Sequence, residues 1–180
     1  MLRARGWLAG LVVAAICGCS VVASVAPVGE LPQELSQADW DGTWIHQEQP
    51  IKIRVADQPQ GMLQVAWVEE KGGRLQLESY QVEMRKSGEW LFGNIKAREG
   101  PAPYLWGLVK LEPGQIIIWP PEQEHFKKLV QSGALPGKVD KDGDVVLEQL
   151  TPEHLKLLMS ETRGVPFDWK KPLVFFRMGK

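Results

Sequence analysis

The sequence predicts a mainly β domain: a strongly curved antiparallel sheet or small β-barrel, with two short helices inserted before the last strand. Three observations predict it. Successive short runs alternate apolar with polar side chains at period two. Glycine- and proline-centred turns separate those runs at close intervals. Two later stretches carry helical spacing between caps and breakers. About eight or nine strands result, a number that suits closure on itself.

The elements follow in order. Asp39-Trp40-Asp41-Gly42 punctuates the chain ahead of a first short strand, Thr43 to His46. Ile51, Ile53 and Val55 alternate with Lys52 and Arg54, a half-buried strand. Pro59-Gln60-Gly61 turns the chain, and Leu63, Val65 and Trp67 alternate again. Lys71-Gly72-Gly73 predicts a tight hairpin. In the next strand Leu75 and Leu77 share one parity, whereas Tyr80, Val82 and Met84 share the other. A period-two strand changes face only through an extra residue, so a β-bulge is predicted near Glu78-Ser79. After Lys86-Ser87-Gly88 come strands from Trp90 to Ala97 and from Tyr104 to Leu111. Each has a central glycine, Gly93 and Gly107, marking a bend or a close approach of backbone. Ile116-Ile117-Ile118-Trp119 has no polar face and reads as a strand buried on both sides.

Pro120-Pro121 ends that strand and opens a helix. Its acidic residues Glu122 and Glu124 come first and Lys127 and Lys128 later, as the helix dipole favours. Phe126, Leu129 and Val130 form its apolar stripe, and Gly133 closes it. Asp142-Gly143 turns into Val145-Val146-Leu147. Thr151 caps a second helix with Pro152 at its first position, and Leu155, Leu158 and Met159 face inward. Gly164 and Pro166 stop it, and Leu173 to Met178 is the final strand, with Arg177 among apolar residues.

The N-terminus has a different character. Arg3 and Arg5 precede an apolar run from Trp7 to Ile16, too short to span a bilayer and right for an export signal. The segment Ile16-Cys17-Gly18-Cys19 resembles the lipobox of bacterial lipoproteins, with an aliphatic residue at -3 and a small residue at -1. The resemblance implies cleavage before Cys19, lipid on its thiol, and a protein held on the cell envelope. Ser20 follows in place of the aspartate associated with inner-membrane retention, so the resemblance implies the outer membrane, facing the periplasm, as the default in a diderm bacterium. Apolar residues continue from Val21 to Ala26, which leaves two alternatives open: an uncleaved anchor helix from Trp7 to Ala26, or cleavage by ordinary signal peptidase after Ala23. The expected organisation is a signal over residues 1–18, a lipid anchor and tether over 19–39, and one β-rich domain over 40–180. The role of Cys17 is unassigned.

Composition limits the function. The net charge is -1, and no Lys/Arg run follows the signal, so the basic field needed to bind nucleic acid is lacking. Both cysteines, Cys17 and Cys19, lie in the signal region, so residues 20–180 have no disulfide, thiolate nucleophile or cysteine metal site. The histidines His46, His125 and His154 fall in no metal-binding spacing, and no metal or cofactor is expected. Asp140-Lys141-Asp142-Gly143-Asp144 departs from an EF-hand loop and reads as a tight turn. No nucleophile elbow, phosphate loop or dinucleotide fingerprint is present, so enzymatic activity is disfavoured.

Eight tryptophans are the unusual feature. Trp67, Tyr80, Trp90, Trp106 and Trp119 are candidates for the lining of a ligand cavity or for core. Gly42-Thr43-Trp44 at the start of the first strand is similar to the Gly-x-Trp pattern of lipocalins and calycins. That resemblance implies an arginine late in the chain packing over the tryptophan to close the barrel, which assigns Trp44 and Arg177 as a pair. The expected function is that of a membrane-anchored envelope lipoprotein binding an apolar or amphipathic small ligand. A structural or assembly protein with a protein partner is the first alternative. The second is an envelope hydrolase using Glu69 and Glu78.

Overall fold

The computed structural model describes residues 21–97, 102–160 and 166–179. The segment read as an export signal, with Cys17 and Cys19, lies outside the described residues, as does Gly164.

Twelve strands form one sheet. Eight of them close into an antiparallel barrel in simple chain order: β3 (Gly42–His46), β4 (Gln49–Asp57), β5 (Met62–Lys71), β6 (Arg74–Ser87), β7 (Trp90–Lys96), β8 (Tyr104–Glu112), β9 (Gln115–Trp119) and β12 (Leu173–Arg177). Closure comes from β12, which pairs with both β9 and β3. The insertion between β9 and β12 contains helix α2 (Gln123–Gln131), strands β10 (Gly137–Val139) and β11 (Val145–Leu147), and helix α3 (Pro152–Met159). A one-turn helix α1 (Gln37–Trp40) precedes β3. The barrel has two ends. The turns after β3, β5 and β7 and the start of β12 lie at one, called here the mouth. Helix α1 and the ends of β4, β6, β8 and β12 lie at the other, the floor.

Two apolar layers share the barrel wall. Inward residues of the strands, among them Trp44, Ile51, Ile53, Leu63, Trp67, Met84, Ile116 and Phe175, pack together in the lumen with Leu35 and Trp40. Outward residues of β7 and β8, namely Phe92, Trp106 and Leu108, pack under the helices against Phe126, Leu129, Leu155, Leu158 and Phe167. These strands are therefore buried on both faces, which explains why their apolar residues show both parities.

Strand β8 divides one of its edges. Tyr104 and Leu105 pair with β1 (Val22–Ser24), whereas Leu108 to Glu112 pair with β9. Gly107 sits at the fork, where a Cβ would approach the Trp119 carbonyl to 2.9 Å. No side chain fits there without backbone movement.

Two expectations are corrected. Residues 22–35 are not a tether. Val22, Ala23 and Ser24 are buried in β1 between β8 and β11. Val28 is buried as well, and Leu31–Pro32 forms a short strand, β2, against β6. Asn94, 1% exposed on β7, holds this segment: its Oδ1 accepts from Val28 N at 2.7 Å and its Nδ2 donates to Val28 O at 3.0 Å. The expected bulge at Glu78-Ser79 is also absent. The β5–β6 register runs unbroken from Met62↔Glu83 to Lys71↔Arg74. The change of parity has another cause: Leu75 and Leu77 lie on the outer face and are 76% and 72% exposed. A register shift does occur in β4, between Val55 and Asp57.

Candidate functional site

The floor is sealed by interlocking polar contacts. Trp44 Nε1 donates to the Trp40 carbonyl at 3.1 Å, and the Asp41 carboxylate accepts from Val55 N at 2.6 Å. The Arg177 guanidinium lies 5.3 Å from the Trp44 ring centroid and donates to the carbonyls of Ala38 and Asp41. Gly42 leaves room for it, since a Cβ there would sit 3.2 Å from Arg177 Nε. Trp44, Arg177 and α1 thus form a single plug.

Toward the mouth the inward side chains are less covered. Tyr80, Val82, Ile95, Leu105, Ile118 and Leu173 take the inward parity of their strands, yet each retains partial solvent exposure. Tyr80, Val82, Ile118 and Leu173 pack against the buried cluster of the lumen. Eight strands enclose an interior that side chains can fill or that can hold one small ligand.

Polar groups are concentrated at the rim. Glu69, Lys71 and Glu78 share the inward parity on β5 and β6. Lys71 Nζ contacts Glu69 Oε2 at 3.1 Å and Glu78 Oε1 at 2.9 Å. The Glu78 bond, then the Glu69 bond, raise the Lys71 pKa above its ordinary 10.5. The two carboxylates considered for acid–base chemistry therefore converge on an ammonium group. Beneath them Trp67 and Tyr80 stack at 5.2 Å with their planes 7° apart. His46 is buried on β3, two strands from β5, with Nδ1 2.9 Å from the Val174 carbonyl and its ring stacked on Phe175. The β3–β4 turn at this end places two non-glycine residues, Gln47 and Glu48, in the left-handed region, a strained conformation for both.

The five aromatic candidates separate into two groups. Trp67 and Tyr80 face the lumen. Trp90, Trp106 and Trp119 do not: they face outward into the helix-covered layer, where Trp106 meets Phe126 edge-on at 5.4 Å and Trp119 meets Trp169 at 5.1 Å. They belong to the outer layer because β7, β8 and β9 present that parity to it. The Trp106 indole nitrogen is buried there without a hydrogen-bond partner.

The sequence reading named His46 and Glu78 without placing them inside the wall. Each lies in phase with the apolar residues of its strand, His46 with Trp44 and Glu78 with Tyr80 and Val82. A polar residue in an apolar phase is the signal that marks them. Of the helical histidines, His154 accepts from Thr151 N at 3.1 Å and completes a capping box. His125 is partly buried, which lowers its pKa below 6.5. Asp140 Oδ1 accepts from the amides of Asp142 and Asp144, closing a tight turn. Among the described residues no group of histidines and carboxylates is arranged to hold a metal. No helix of the described residues is long and apolar enough to cross a membrane.

Comparison with protein-family models, curated proteins and solved structures finds no match to this chain.

Proposed function

We propose that this protein binds an apolar or amphipathic small molecule in the upper half of the barrel, as an exported protein held on the envelope by lipid at Cys19. One observation carries the binding reading: a ring of inward apolar side chains with partial exposure stands over a packed floor. Ligand sites of this kind are concave, mostly apolar and supplied with a few polar groups. The Glu69–Lys71–Glu78 cluster supplies them at the rim, where a ligand's polar end would rest. The eight-stranded up-and-down order and the Trp44–Arg177 plug support a lipocalin-like architecture for this task.

Processing before Cys19 suits the buried position of β1. Cleavage after Ala23 would cut that strand, and a helix through Ala26 would consume it.

Titration with a fluorescent fatty-acid analogue tests the binding reading. Saturable binding is expected, together with quenching of Trp67. Replacing Ile95 and Leu105 by tryptophan fills the upper lumen and is expected to weaken binding at least about tenfold, since a filled site excludes the chain. Equal binding by the filled variant would refute the lumen site.

A further inference from the structure

The exposed apolar side chains are unevenly placed. Among the described residues eight large ones are exposed, and five of them, Val25, Val68, Leu75, Leu77 and Trp169, lie at the mouth end. Three belong to the β5–β6 ribbon. β4 accompanies β5 only as far as Ile51↔Trp67, and β7 joins β6 only from Val82. The four residue pairs from Val68↔Leu77 to Lys71↔Arg74 therefore extend past the wall, a reach of about 13 Å at strand rise. Val68 and Leu77 are paired directly on its outer face, with Leu75 one step nearer the tip.

Val25 follows Ser24, which pairs with Tyr104 at the mouth end of β8. Trp169 contacts Trp119 just before β12 begins. In the circular order of strands the ribbon and Trp169 lie on opposite sides of the opening. These residues surround the mouth rather than forming a flat patch on one side of the molecule. A second copy would require a continuous face of about 800 Å². Separated apolar points around an open rim suit a deformable apolar medium instead.

We propose that the mouth end docks on a phospholipid surface, with the outer face of the β5–β6 ribbon and Trp169 entering the interface on opposite sides of the opening. Exposed Arg74, Lys96, Lys170 and Lys171 at this end outnumber exposed Glu48 and Glu70. On a zwitterionic phosphatidylcholine surface the docking is driven by apolar burial and persists in high salt. Tryptophan suits such a boundary, with an apolar body and a polar N–H. The purpose of the docking, direct passage of ligand between bilayer and lumen, rests on the binding reading above, whereas the docking itself does not.

The test uses the full chain in phosphatidylcholine vesicles whose acyl chains carry a photoactivatable diazirine, with adducts mapped by mass spectrometry. The floor-end residues Leu31, Phe176 and Met178, 59%, 54% and 47% exposed, are internal controls of similar exposure. Adducts on residues 68–77 and on the Trp169 peptide are expected to exceed those on the controls by about tenfold, because only groups within the interface meet acyl chains. The ratio is expected to survive high salt. The double variant Leu75→Glu, Leu77→Glu is expected to lower labelling of the Trp169 peptide as well, with its near-ultraviolet circular dichroism unchanged. Equal labelling of the two ends, labelling confined to residues 1–20, or protein–protein adducts through residues 68–77 would each overturn the docking. Binding of the fluorescent fatty-acid analogue in detergent is scored in parallel. Loss of vesicle labelling with retained ligand binding rejects the docking alone, and the reverse result rejects the lumen site alone.

Discussion

Substitution of Asn94 by alanine tests whether residues 22–35 belong to the folded domain. Asn94 is 1% exposed and donates or accepts three hydrogen bonds: to Val28 N at 2.7 Å, Val28 O at 3.0 Å and Glu83 O at 3.2 Å. Val28 is equally buried. Without the amide, the Val28 N–H and C=O lose their partners in an apolar layer. Each orphaned buried group costs about 1–3 kcal/mol, so the pair predicts a loss of about 2–6 kcal/mol. That is a large part of the roughly 5–15 kcal/mol that holds a domain. The measurement is urea unfolding followed by tryptophan fluorescence, with the midpoint and slope read separately. Asn94→Asp keeps the acceptor for Val28 N and loses the donor, and it also buries a charge beside the Val28 and Glu83 carbonyls. It is expected to be at least as damaging as the alanine. Proteolysis between Ala26 and Glu30 is expected to speed up in both variants. A loss below about 1 kcal/mol for Asn94→Ala would show that the segment is only loosely attached and would refute the reasoning.

Further predictions concern the plug, the register and the helices. Arg177→Lys cannot reach two carbonyls and lie flat over Trp44 at once, and is expected to cost about 1–3 kcal/mol in the same assay. Leu77→Gln is expected to change stability by less than about 0.5 kcal/mol, because the side chain is already in solvent; a loss of core size would restore the bulge. Burial holds His125 below its ordinary pKa, so the unfolded chain takes up the proton more readily. The stability this confers is complete above 6.5 and declines as pH falls from there through the lower folded value. His125→Gln is expected to flatten that acid-side decline in unfolding curves measured across the range. For Lys71 the sign is opposite. Its raised pKa keeps the rim ion cluster intact up to and beyond 10.5, and the cluster is lost only as pH rises through the folded value. Nitrogen chemical shifts of the Lys71 ammonium would follow that loss.

Much of the barrel was legible because its wall obeys a two-residue period. Ile51, Ile53 and Val55, then Leu63, Val65 and Trp67, show their inward face without ambiguity. The reading failed where one strand serves two environments. Trp90, Trp106 and Trp119 stood as cavity lining or core, because aromatic size carries no information about which face of a strand the layer above will claim. Leu75 and Leu77 suggested a bulge because exposed leucines are unexpected in a strand, and sequence alone does not reveal that the ribbon outruns the wall. Residues 19–39 looked like a tether because β1 and β2 are too short to show any period. Their partners, β11 and β6, lie far along the chain. The rim cluster Glu69–Lys71–Glu78 was half visible: the carboxylates were noticed, but the lysine between them was taken for part of the turn.

The divided edge of β8 has a consequence for how the molecule comes into being. β1 lies between β8 and β11, so the first strand of the domain is settled only when residues more than a hundred positions later are available. Barrel closure waits even longer, because β3 must meet β12 at the very end of the chain. Contacts so distant in sequence make folding slow, since long loops must close before any contact rewards them. A chain delivered from its N-terminus, as every chain is, therefore remains open until its last strand has arrived. Under the proposed export, that delay would keep the chain open until it had crossed the membrane.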